Sequence, residues 1–168
     1  MTSRAPLAAA ALAALLAGLA AANGFDAALR ALAEGELAAI AADPAVVAAI
    51  RARNAGPDLA QAEIDALDAD WRAQVGAAEA PLVAEIAADP ASAVLSAHRD
   101  AAQGLLTEIF AMDRHGLNVA ISDPTSDYWQ GDEAKWRETY LVGPDAVHVS
   151  EVEFDESTQT YQSQVSLA

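Results

Sequence analysis

From Phe25 to about His98, apolar residues recur every three or four positions, which predicts an all-helical half. Phe25, Leu29, Leu32 and Leu37 begin a first helix. Asp43-Pro44 reads as an N-cap followed by proline at the first helical position, and Val46, Val47 and Ile50 form the next apolar face. Asn54-Ala55-Gly56-Pro57 then stops that helix, and Asp58 stands where it could cap the helix carrying Leu59, Ile64, Leu67 and Trp71. The phrase Ile40-Ala41-Ala42-Asp43-Pro44-Ala45 returns as Ile86-Ala87-Ala88-Asp89-Pro90-Ala91. Two copies in an alanine-rich chain fall short of the three stacked units a solenoid needs, so both are read as separate helix junctions with the same cap chemistry.

After Gly104 the pattern changes to strands. Leu105 to Met112 is apolar with β-branched and aromatic residues, Asp113-Arg114-His115-Gly116 is a four-residue turn, and Leu117 to Ser122 alternates strictly. This predicts a β-hairpin. Asp123 to Asp132 is polar and turn-rich, Glu133 to Tyr140 suits a short helix, and Gly143-Pro144-Asp145 breaks it. Val147, Val149, Val152 and Phe154 mark a strand whose register breaks near Ser150. Asp155-Glu156-Ser157-Thr158 turns it into a run with Tyr161, Ser163, Val165 and Leu167 on one face, a second hairpin. The fold class expected is therefore α+β, with a helical half at 23–103 and a sheet half at 104–168 folded as one domain.

Residues 1–22 stand apart from both halves. One early positive charge at Arg4 precedes the Ala/Leu run Leu7 to Ala22, and Ala20-Ala21-Ala22 suits signal peptidase, with cleavage before Asn23. The run is short and weak for a membrane span, which needs about 20 strongly apolar residues; an uncleaved signal anchor is the alternative. The expected location is periplasmic or secreted, with no membrane span after cleavage. The chain contains no cysteine, so disulfides, a thiol nucleophile, thiolate zinc sites and a lipid-bearing cysteine are excluded. Its net charge of −16 opposes binding to phosphate backbones or anionic lipid headgroups, so no nucleic-acid partner is expected.

The run Glu108-Ile109-Phe110-Ala111-Met112-Asp113-Arg114-His115-Gly116-Leu117-Asn118-Val119-Ala120, followed by Thr125-Ser126-Asp127-Tyr128-Trp129-Gln130-Gly131-Asp132-Glu133-Ala134-Lys135-Trp136, resembles the bacterial extracytoplasmic Cache domains, also called PDC sensor domains. Phe154-Asp155-Glu156-Ser157 and Gln164-Val165-Ser166-Leu167 continue the likeness, which runs from about Asp100 to the end. The resemblance implies a single-Cache, PAS-like antiparallel sheet with the helical half packed on it. It also implies a small-molecule ligand bound on one face, and a role in signal transduction. Cache sheets end in a central fifth strand, and this chain is expected to lack both that strand and a signalling output of its own. An open edge of that kind would favour homodimerisation or capture of a strand from a partner.

Ligand-binding candidates follow from the connector between the hairpins. Tyr128, Trp129 and Trp136 offer apolar faces with polar tips, and Asp132, Lys135 and Arg137 could recognise an amino or carboxylate group. The ligand class expected is an amino acid, an amine or an organic acid, with a membrane receptor or a second copy as protein partner. The competing reading makes the aromatics a small core and the charges a solvated loop, with Asp132 and Glu133 favouring a helix N-terminus. His98, His115 and His148 are far apart in sequence and do not form a zinc motif, and His115 in its turn is expected to be exposed. Carboxylates cluster, but without the spacing of an EF-hand loop. No serine lies in a Gly-x-Ser-x-Gly elbow, and no glycine-rich phosphate loop is present. The chain is therefore read as a binding protein with no catalytic residues, no cofactor and no metal.

Overall fold

The computed structural model describes residues 24–155 and 159–168, so the expected signal segment at 1–22 lies outside the described residues. The helical half contains α1 (Asp26–Leu32), a π-helical turn (Ala33–Leu37), α2 (Ala38–Ala41), α3 (Pro44–Asn54), α4 (Gln61–Gln74), α5 (Pro81–Ala87) and α6 (Pro90–Ala101). The helix expected from Phe25 to Leu37 is thus interrupted by a wider turn, which contains Gly35, the poorest helix former in the segment. Both expected Asp-Pro junctions are present. The Asp43 carboxylate accepts from the Ala45 N–H at 2.8 Å and the Asp89 carboxylate from the Ala91 N–H at 2.8 Å, with proline at the first helical position each time. Asp58 does not cap α4. The Glu63 side chain reaches back to the Ala60 N–H at 2.8 Å instead, leaving Asp58 to pair with Arg114 at 2.7 Å.

The first hairpin comprises β1 (Phe110–Met112) and β2 (Asn118–Ile121), antiparallel with a bulge between Ala111 and Met112. Its strand was expected to begin at Leu105. In the structure Ser122 is the last residue to bond across, to the Ile109 carbonyl at 2.7 Å, and Asp123-Pro124 then turns the partner chain away. Residues 105–108 therefore have no strand to pair with, and Leu105 stays exposed. The turn closes as expected: Gly116 N–H donates to the Asp113 carbonyl at 3.0 Å, and the Asp113 carboxylate accepts from the His115 and Leu117 N–H groups at 2.7 and 3.0 Å.

Both faces of this hairpin are buried. One packs Leu117, Ile121 and Phe110 against Ile64 and Trp71 of α4 and Val83 and Ile86 of α5. The other packs Ala120, Ile109 and Ala111 against Val46 of α3, Ala91 and Leu95 of α6, and Ile40 of α2. Ser92, buried on α6, accepts from the Ile121 N–H at 2.9 Å and so joins helix to strand.

After α7 (Ala134–Arg137), shorter than the expected 133–140 helix, come β3 (Val147–Val149), β4 (Glu153–Asp155), β5 (Thr160–Gln162) and β6 (Val165–Leu167). These pair β3 with β6 and β4 with β5, all antiparallel, as two stretches of one long hairpin. Val147 faces Leu167, but Glu153 faces Gln162, where the same register would have placed Tyr161. The step falls at the expected break: the Ser150 hydroxyl takes the Gln164 N–H at 2.8 Å, and the Ser163 hydroxyl donates to the Ser150 carbonyl at 2.7 Å. The fold is mixed α+β, but the described strands form three two-stranded pairs rather than one continuous sheet. No helix among the described residues is long and apolar enough to cross a membrane.

Candidate functional site

The connector after β2 is held against the first hairpin by backbone approach. Leu117 bridges Trp129, and Gln130 N–H donates to the Gly116 carbonyl at 2.7 Å. Two glycines make room. A Cβ on Gly116, whose φ is +82°, would lie 2.6 Å from Gly131 backbone atoms, and one on Gly131 would lie 2.7 Å from the His115 carbonyl.

Helix α4 grips the same connector. Ile64, Leu67, Asp68 and Trp71 share one helical face, and within this mostly apolar stripe Asp68 is a buried carboxylate. One of its oxygens accepts from the Tyr128 and Trp129 N–H groups at 2.9 and 3.0 Å, and the other from Arg72 Nε at 2.8 Å. Arg72 then reaches Asp127 at 3.0 Å. Trp71 stacks on Tyr128, with ring centroids 5.0 Å apart, and its indole N–H donates to the Thr125 carbonyl at 2.8 Å. The buried Asn118 amide donates to the Thr125 hydroxyl and the Asp127 carbonyl at 2.7 and 3.0 Å.

The six connector candidates fall into different surroundings. Tyr128 is 1% exposed and belongs to the core. Burial raises its phenol pKa above the ordinary value; Arg53 opposes the rise, and Asp113 and Glu85 add to it. Trp129 and Trp136 are partly buried and brace the turn, donating to the His115 carbonyl at 2.8 Å and to the Asp113 carbonyl at 3.4 Å. Lys135 is 8% exposed; its ammonium bonds Gln130 at 2.8 Å and Glu133 at 2.9 Å and lies 5.2 Å from the centre of the Phe110 ring. Loss of hydration under the surrounding chain raises the nearby Glu108 carboxyl pKa, with Lys135 opposing and Asp155 adding. The Glu108 side chain nevertheless remains solvent-exposed, so water screens this effect on stability. Asp132 and Arg137 are exposed and border a depression of about 360 Å³ together with Glu138 and Leu141.

A larger cleft, about 570 Å³, opens elsewhere, between α3, α4, α5 and the hairpin turn. Leu59, Leu67, Ile86 and Val119 give it apolar walls, while Arg53, Glu85, Asp89, Asp113 and His115 supply charge and hydrogen-bonding groups. His115, expected to be exposed, is largely enclosed here, because the turn docks on the α3–α4 loop. Arg114 makes that dock, its N–H accepted by the Asn54 side chain at 2.8 Å and its guanidinium bonded to the Asn54 and Gly56 carbonyls. None of the cleft residues was picked out as ligand-binding by sequence. The available signal was Asp68, a charge inside an apolar stripe, which fixes how α4 meets the connector. Among the described residues, no group of three or more His, Asp or Glu side chains is arranged to hold a metal ion. Comparison of the chain with protein-family models, with curated proteins and with solved structures found no match.

Proposed function

We propose that this protein is a periplasmic or secreted small-molecule-binding protein of the Cache sensor type, recognising its ligand without catalysis and passing the signal to a membrane-receptor partner. The observation that carries this reading is the 570 Å³ cleft, which has apolar walls and a few converging polar groups beside the hairpin turn. That size and lining are those of ordinary ligand pockets. The motif on which the Cache resemblance rests forms the turn and connector next to it, an association that supports the reading at the level of family analogy.

A thermal-shift screen against amino acids, amines, organic acids and calcium tests it. One compound class should raise the melting temperature, equivalent to about 2.7 kcal/mol at a hundredfold excess over the dissociation constant. A single cooperative melt that no compound moves would overturn the reading.

A second reading has its own observation. The described strands pair only two by two, and the outer stretch of the second hairpin exposes Phe154 and Tyr161. Open edges of this kind accept an added strand, so a structural protein that pairs with a partner or a second copy would show a change of assembly state with a β-strand peptide and none with small molecules.

A further inference from the structure

We propose that the cleft at the hairpin turn selects a small primary amine, seating the ammonium at Asp113 and the aliphatic body on Leu67, Ile86 and Val119. The inference rests on the small-molecule-binding reading above and names both the site and the ligand class. Asp113 is 3% exposed, and one carboxylate oxygen is fully engaged by the two N–H groups of the turn. The other lies 3.7 Å from His115 Nδ1, beyond hydrogen-bonding reach. This second oxygen accepts no hydrogen bond among the described residues, and an ammonium arriving from the cleft, with three donors and a positive charge, satisfies it.

The rest of the lining points the same way. Glu85, Asp89 and Asp113 bring three negative charges against the one permanent positive charge of Arg53. Arg53 and Glu85 are 3.9 Å apart and solvent-exposed, a loose rim pair that leaves Glu85 able to turn towards a second cation. An anion entering the cleft would meet the carboxylates, so selectivity should run from diamine through monoamine to carboxylate.

Isothermal titration of the purified protein with 1,4-diaminobutane, butylamine and butyrate tests the proposal. Both amines should bind, the diamine more tightly, and butyrate should not. Ala52→Trp, which fills the cleft from α3, and Asp113→Asn, which keeps an acceptor for the turn while removing the charge, should each weaken amine binding at least about tenfold, or 1.4 kcal/mol. Glu85→Gln should remove the diamine's advantage over butylamine. Equal binding of butyrate, or amine binding unchanged in Ala52→Trp, overturns the proposal. If the amines fail while another class raises the melting temperature, the site and class assigned here fall and the small-molecule reading survives; if no compound binds, both fall.

Discussion

The two hairpins share the same period-two pattern and end in different states. In the first, β2 is buried along its whole length, with helices on both faces. The second is half-buried where β3 and β6 pair near α1, the π turn and α7, and exposed where β4 and β5 pair. Alternation specifies a strand with two faces; what lies against each face is set by the elements that pack there. The contrast places rigidity at the turn that borders the cleft and leaves the far end of the second hairpin free for variation or pairing.

Truncating the enclosed hairpin's main support should do the most damage. Trp71→Ala removes the stack on Tyr128 and the bond to the Thr125 carbonyl, and should destabilise by about 3–5 kcal/mol in denaturant unfolding. Asp68→Ala comes next. It leaves the buried Tyr128 N–H and the part-buried Trp129 N–H without their acceptor, for a loss on the order of 3 kcal/mol, and should speed hydrogen exchange at those two amides first. Asp89→Ala, which removes the α6 cap, should lower stability by about 1 kcal/mol.

Changes at the outer stretch should barely register. Tyr161 is 76% exposed and meets Phe154 edge-on at 5.2 Å, so Tyr161→Ser should stay within about 0.5 kcal/mol. A loss approaching that of Trp71→Ala would mean this end is covered in solution, as the strand-pairing reading requires.

The Tyr128 pKa is raised in the folded protein, so the unfolded chain loses this proton first as pH rises above 10, and stability falls until the folded-state pKa is passed. Tyr128→Phe should therefore flatten the alkaline decline in melting temperature relative to the parent.

Much of this organisation was legible in the residues. Period and punctuation are local properties, so the Asp-Pro caps, the Asp113–Gly116 turn, both hairpins and the break at Ser150 could be read directly. Strand length could not, because Leu105 to Glu108 look like strand but lack a partner once Asp123-Pro124 leaves the pair. The connector aromatics stood out by type, yet Tyr128 went into the core because Trp71, far away in sequence, supplied a ring to stack on.

By itself, the sequence determined the α+β class, the helix boundaries set by proline and aspartate, a cysteine-free acidic chain, and turns whose geometry requires aspartate and glycine. Only the tertiary structure decided that the first hairpin lies between helices, that Asp68 holds the connector, and that Asp113 and Val119 of the hairpin meet Arg53, Leu67 and Glu85 of three different helices at one cleft. Local patterns fix backbone conformation and the polarity of each face. Which faces meet is settled by burial summed over residues distant in the chain, and no local window carries that sum.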